Sequence, residues 1–218
     1  MLNEAARDQM IHQQVRAWDV LDPRTLEVLG KVPREQFVPA AFQDLAFADA
    51  AIPLPHGERM LAPKIAGRIL QALQVTGGES VLEIGTGSGF LTACLALQGG
   101  AVRSLELHAD LASAARTRLA ALGFGRAEVA AADAFAAGAL GSASYDVVVL
   151  TGSLPIYDPR FEQRLAVGGR LFAVVGEGPA MDARLVRRTG EQEWLAESLF
   201  ETVLPPLHGA ARHERFAF

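Results

Sequence analysis

Three glycines and three carboxylates in this chain are spaced as the corner of a nucleoside-binding site requires. Val81-Leu82-Glu83-Ile84-Gly85-Thr86-Gly87-Ser88-Gly89-Phe90 reads as an apolar strand that runs through a G-x-G-x-G turn into a helix. Glycines there let the backbone turn sharply and approach a ligand closely. A lone glycine-rich turn is weak evidence, because dinucleotide-binding folds share it. Two further features narrow the choice. Glu83 precedes the turn on its strand, and Glu106 closes another apolar run 23 residues later. S-adenosyl-L-methionine (AdoMet) has no phosphate to set on a helix N-terminus, but it carries an ammonium and a sulfonium. An acidic strand residue suits those cations better than it suits a pyrophosphate. The expected cofactor set is therefore Glu83, Gly85, Thr86, Gly87, Ser88 and Gly89, then Glu106 with Leu107, then Asp133. In it Glu83 faces the cations, Glu106 takes the two ribose hydroxyls, and Asp133 accepts from the adenine amino group. The plainer alternatives are a bare turn at the glycines, an ordinary strand-end carboxylate at Glu106, and a loop or cap aspartate at Asp133.

These residues need a sheet to hold them. Apolar runs predict strands at Ser80–Ile84, Ala101–Leu105, Ala127–Ala131, Tyr145–Leu150 and Arg170–Val175. Helical spacing predicts helices near Phe90–Leu97, Ala109–Leu122 and Pro159–Leu165, and one that starts at Pro63 and runs to about Leu73. The continuous run Val147-Val148-Val149-Leu150 implies burial on both faces, as in a parallel sheet. Leu185–Thr189 and Trp194–Val203 flank Gly190-Glu191 and read as a β-hairpin. Upstream, Met10-Ile11, Val15 and Trp18 recur at helical spacing, and Asp22-Pro23 looks like an N-cap with proline at the first helical position. Residues 52–57, Ile-Pro-Leu-Pro-His-Gly, are expected to be irregular. The fold class is thus α/β: a doubly wound, mostly parallel sheet of the Rossmann-like AdoMet-binding type, with a helical N-terminal extension and a C-terminal antiparallel hairpin. It is expected to form one domain over 1–218, with 1–75 as helical extension and substrate loop and 76–218 as the AdoMet-binding core.

Bulk properties narrow the setting. The chain has 218 residues, enough for one sizeable core. It carries a net charge of −5, which argues against a nucleic-acid partner. No apolar run reaches the length that crosses a bilayer, and the first residues lack a secretory h-region, so no membrane role is expected. The lone Cys94 cannot form an internal disulfide and reads as a packing residue of a cytoplasmic protein. No metal is expected.

Beyond the glycine corner, the chain resembles the protein-L-isoaspartate O-methyltransferase family, from about Met10 to Leu207. Val32-Pro33-Arg34-Glu35-Gln36-Phe37-Val38-Pro39 is similar to the family's N-terminal signature, which is the discriminating part. Glu83–Gly89 is similar to its AdoMet motif, Gly168-Gly169-Arg170-Leu171 to its late strand entry, and Leu204-Pro205-Pro206-Leu207 to its C-terminal element. The resemblance implies methyl transfer from AdoMet to the α-carboxyl of isoaspartyl residues in damaged proteins or peptides. The ester then closes to a succinimide, which can reopen as normal aspartate. A carboxylate is already an anion, so such a reaction needs alignment and dry surroundings rather than a strong base.

The chain departs from the family pattern on the acceptor side. The family's Gly-Gln-Thr-Ile-Ser-x-Pro loop is matched by Gly57-Glu58-Arg59-Met60-Leu61-Ala62-Pro63. Leu61 stands at the serine that the family uses near the substrate carboxyl, so that role does not carry over. Arg59 is a candidate partner for a substrate carboxylate, or a plain surface arginine. Thr151 is kept from the family pattern, and Ser153 suits either a substrate contact or a turn. His56, beside Gly57, Arg59, Met60 and Leu61 of the substrate loop, is more simply structural than catalytic. Two other functions stay open: an AdoMet-dependent methyltransferase with a different, small-molecule acceptor, which Met60 and Leu61 would suit, and an AdoMet-binding protein without activity. In the tail, Phe216 and Phe218 pack either on the sheet or on a partner.

Overall fold

Asp22 begins the first buried helix as its sequence predicts. Its carboxylate accepts the Thr25 backbone N–H at 2.8 Å and the Thr25 hydroxyl at 2.7 Å, while Pro23 fills the first turn. The computed structural model describes residues 2–214. Phe216 and Phe218 lie outside the described residues. Helix α1 (Leu2–Met10) continues through a π turn and a 3₁₀ turn to Trp18, and α2 spans Pro23–Lys31. Two more 3₁₀ turns follow, at Arg34–Phe37 and Ala40–Leu45.

The segment expected to be irregular forms a small hairpin instead. Strand β1 (Ile52–Pro53) pairs antiparallel with β2 (Arg59–Met60) around a 3₁₀ turn at Pro55–Gly57. The prolines sit where no ladder donor is needed, and the Leu54 N–H closes the loop on the Glu58 carbonyl at 2.8 Å. Helix α3 (Pro63–Leu73) follows, within the predicted bounds.

The rest alternates strand and helix: β3 (Ser80–Ile84), α4 (Phe90–Leu97), β4 (Ala101–Glu106), α5 (Ala109–Ala121), β5 (Glu128–Ala131), β6 (Tyr145–Leu154) and β7 (Leu165–Val175). The closing pair is β8 (Met181–Gly190) and β9 (Glu193–Thr202). The seven-stranded sheet has the order β5-β4-β3-β6-β7-β8-β9. Strands β3 to β7 pair parallel, and β8 and β9 add antiparallel to one edge. The chain winds outward from β3 to β5, then returns to β3's other side with β6. The switch point therefore lies at the carboxyl ends of β3 and β6, where a doubly wound sheet binds its ligand.

The predicted helix at Pro159–Leu165 is absent; only a 3₁₀ turn at Glu162–Arg164 is present. The ten residues between β6 and β7 must run back along a ten-residue strand. At about 1.5 Å per residue a helix would cover half the distance that an extended chain covers at about 3.3 Å. Phe161, fully buried, pins the crossover on the sheet.

One apolar cluster joins Val15, Leu29 and Phe37 of the N-terminal segment to Val81, Val149 and Phe172 of the sheet, so the extension covers one sheet face. A second holds Leu82, Val148, Phe161 and Leu171 on the other. Val147 to Leu150 are wholly buried, as a central parallel strand should be. Among the described residues no helix is long and apolar enough to cross a membrane.

Candidate active site

The turn after β3 is built from left-handed conformations that favour glycine. Gly85, Gly87 and Gly89 all have positive φ, at 94°, 53° and 88°. The turn is tied down from three sides. The Thr151 hydroxyl of β6 reaches the Gly85 carbonyl at 2.8 Å, and the Glu106 carboxylate accepts the Gly87 N–H at 2.7 Å. From α5, Arg118 donates to the Ser88 carbonyl at 2.7 Å. The Thr86 hydroxyl meets that of Ser104 at 2.5 Å.

These groups open on a cavity of about 890 Å³ at the carboxyl ends of the strands. Gly85 to Ser88, Glu106, Leu107, Asp133 and Thr151 all line it. Gly89 does not; it packs toward Ala115 and Leu119 and starts α4. Glu106 is buried, and its second oxygen accepts the His108 N–H at 3.1 Å. A carboxylate offers about four lone-pair positions, so two stay free for hydroxyl donors. Asp133 spends one oxygen on the Phe135 N–H at 2.8 Å. Phe135 lines the same cavity.

Glu83 is not where the sequence puts it. It is wholly buried and absent from the cavity lining, so it does not face a cofactor's cations directly. One of its oxygens accepts the Thr92 hydroxyl at 2.5 Å and the Ser104 hydroxyl at 2.7 Å. The other is buried with no hydrogen-bond partner among the described residues. Burial pushes its acid up to about 7, with the charge of Glu106 pushing the same way and the two hydroxyls opposing. Glu83 thus supports the turn from behind through Ser104 and Thr86.

Ser153 likewise turns away from the cavity. Its hydroxyl donates to the Leu204 carbonyl at 2.9 Å, and its backbone pairs with Pro205 and Leu207, so it straps the C-terminal segment to β6. Thr151 lines the cavity but spends its hydroxyl on the Ile84 and Gly85 carbonyls. His56 is outside the lining; it pairs with Asp110 at 2.9 Å and stacks on His108 at 4.1 Å. Gly57 supplies only the positive φ that its turn needs.

Arg59, Met60 and Leu61 do enter the cavity, with Trp18 and Lys64 beside them. Lys64 is committed to Asp49 at 2.8 Å and to the Trp18 ring at 4.2 Å. Arg59 has no ion pair or side-chain hydrogen bond among the described residues. The loop that carries these residues hangs on Arg34, which the sequence shows only as part of a motif. Arg34 is fully buried and donates to the Ala46 carbonyl at 2.9 Å and the Leu61 carbonyl at 2.8 Å, with its guanidinium over the Phe90 ring at 4.9 Å. Burial lowers it to about 10, so it stays charged at neutral pH.

The chain is similar to known proteins in sequence and in fold. The family model for protein-L-isoaspartate(D-aspartate) O-methyltransferase matches residues 5–211. The chain is 39% identical over 207 residues to Protein-L-isoaspartate O-methyltransferase 1 of Rhodopseudomonas palustris (strain HaA2), an alignment covering 94% of this chain and 84% of that protein. It is 36% identical over 211 residues to Protein-L-isoaspartate O-methyltransferase 2 of Pelobacter propionicus, covering 95% and 92%. In fold it is similar to a Plasmodium falciparum chain, described as a protein-L-isoaspartate O-methyltransferase and crystallised with S-adenosyl-L-homocysteine. The TM-score is 0.78 at 16% identity, over 94% of this chain and 97% of that one.

Proposed function

Since the chain belongs to the protein-L-isoaspartate(D-aspartate) O-methyltransferase family, we propose that it is an AdoMet-dependent methyltransferase acting on the α-carboxyl of isoaspartyl residues in proteins and peptides. One observation carries the reading: the glycine turn, Glu106 and an arginine without a partner among the described residues line the same cavity. The cavity's residues fit the cofactor. Glu106 keeps acceptor capacity for two ribose hydroxyls, and Asp133 has a free oxygen for an amino group.

The glycine turn, Glu106 and Asp133 would hold AdoMet, which would supply a sulfonium methyl for a substrate carboxylate oxygen, the electron pair of the broken S–C bond staying on sulfur. The chain's own work is placement. Arg59 takes the substrate carboxylate in a charge-assisted hydrogen bond and holds one oxygen free to attack. Met60 and Leu61 keep water from the line of transfer. Thr151 fixes the turn rather than touching substrate. No general base is needed, because the nucleophile is already ionised at neutral pH. A single, buried cysteine, Cys94, fits a cytoplasmic setting.

A second reading, a methyltransferase for a smaller and less polar acceptor, is favoured by the apolar side chains of Met60 and Leu61 in the family's serine loop. Methyl transfer from labelled AdoMet to an isoaspartyl peptide, with the aspartyl peptide as control, tests the choice. Selective methylation of the isoaspartyl peptide upholds the first reading. Turnover on small carboxylic acids alone upholds the second. Cofactor binding with no turnover on either set overturns both and leaves a binding protein.

A further inference from the structure

Three side chains that are far apart in sequence converge at the rim of the cavity. Glu58 follows the turn of the β1–β2 hairpin, His108 follows β4, and His208 lies in the C-terminal segment beyond β9. One Glu58 oxygen, Oε1, lies 2.8 Å from His208 Nε2 and 3.5 Å from His108 Nε2. The ligand atoms of all three lie within 4.8 Å of one another. His108 Nε2 is buried and makes no hydrogen bond among the described residues, although it points at a carboxylate. Its ring is fixed by stacking on His56 at 4.1 Å and is met edge-on by His208 at 5.8 Å.

We propose that Glu58, His108 and His208 form a zinc-class metal site at the cavity rim. Two imidazoles and a carboxylate are a donor set suited to zinc, which binds them at about 2.0–2.2 Å in a tetrahedron and leaves a fourth position for water. Tetrahedral ligands at those lengths stand roughly 3.3 Å apart, so the trio needs only the swing of His208, whose side chain is 61% exposed, to close on an ion. The ion also explains the orphaned His108 nitrogen, since a metal is the partner it lacks.

The site would have a consequence for the cavity. Glu58 precedes Arg59, His208 follows Leu207, and the His108 backbone N–H holds Glu106 at 3.1 Å. An ion there staples the substrate loop, the β4 end and the C-terminal segment across the mouth. By linkage, metal and cofactor then tighten each other's binding. This coupling, though not the site, rests on the AdoMet reading above.

Zinc titrated calorimetrically into the untagged full-length protein without AdoMet tests the site by itself, with the visible absorption of bound Co²⁺ reporting tetrahedral geometry. The expected result is one ion per chain, a raised thermal midpoint, and a tetrahedral cobalt spectrum. His208→Ala and Glu58→Gln, each checked for an unchanged metal-free midpoint, should each weaken zinc about tenfold or more. His12→Ala, remote on the N-terminal helical segment, should not. Absence of saturable one-to-one binding, or wild-type zinc affinity in His208→Ala or Glu58→Gln, would overturn the site. AdoMet titration with and without zinc then reads the coupling. Zinc binding with unchanged AdoMet affinity overturns the coupling alone, and zinc binding with no AdoMet binding at all points to failure of the cofactor reading.

Discussion

The Thr151 side chain occupies the space that a β-carbon on Gly85 would need: its hydroxyl oxygen would lie 2.2 Å from that atom. Two strands from opposite sides of the switch point are thereby locked at the turn, because the same hydroxyl shares its one proton between the Ile84 and Gly85 carbonyls, at 2.9 and 2.8 Å. Gly85→Ala should suffer twice. The positive φ costs about 1–2 kcal/mol for any L side chain, and the clash with Thr151 adds to it. AdoMet affinity and the unfolding midpoint should both fall. Adding Thr151→Ala should recover part of the midpoint, because it removes the clash and leaves the φ. No recovery in the double variant would show that the contact is not the limiting one.

Glu83 gives the fold a pH signature. Its acid is raised from 4.5 in the unfolded chain to about 7, with burial the largest cause. The folded state therefore holds the proton more tightly. This stabilisation is complete below about pH 4.5 and is lost as pH rises through about 7, a change of roughly 3 kcal/mol at most. In Glu83→Gln the slope disappears. Denaturant unfolding of both proteins at several pH values from 5 to 8 should show the wild-type advantage shrinking as pH rises. A difference that stays constant with pH would mean that Glu83 is not buried as an acid.

Local pattern carried much of this fold. Strand β3, helices α3 and α4, and the Asp22 cap are set by neighbours within a few positions, and they lie where periodicity and turn residues put them. Glu106 and the glycine turn were legible for the same reason, since each sits at the end of an apolar run. The sequence does not show which way Glu83 points, because that depends on Thr92 and Ser104, which reach it from a helix and from the neighbouring strand. The sequence leaves Ser153 open between substrate and structure because its partner, Leu204, is 51 residues away. The Glu58–His208 contact spans 150 residues and left no local trace. The crossover after β6 reads as a helix in the sequence because composition does not record how far a connection must reach.

Arg34 should govern the acceptor loop without touching substrate. It is buried with no carboxylate beside it, so carbonyl dipoles and the Phe90 face stabilise its charge. Arg34→Ala should cost about 2–4 kcal/mol, since it empties a core site and orphans two carbonyls. Arg34→Lys should recover only part of this, because an ammonium lacks the fork that spans Ala46 and Leu61. Thermal midpoints of the three proteins check the order. A Lys variant as stable as wild type would show that the fork is not needed.

Arg59 and Leu61 test the acceptor side directly. If Arg59 holds the substrate carboxylate, Arg59→Ala loses a charge-assisted hydrogen bond worth about 1.5–3 kcal/mol. KM for an isoaspartyl peptide should then rise about tenfold or more, while calorimetric AdoMet affinity stays within twofold or so. Leu61→Ser should act in the opposite direction. The Leu61 carbonyl is held by Arg34 at 2.8 Å, so the backbone stays in place when the side chain changes. The new hydroxyl then points where the leucine side chain did, into the cavity. It should raise kcat/KM for the isoaspartyl peptide above wild type. An unchanged rate would mean that the acceptor carboxyl does not reach position 61, and Arg59 alone would be left to recognise it.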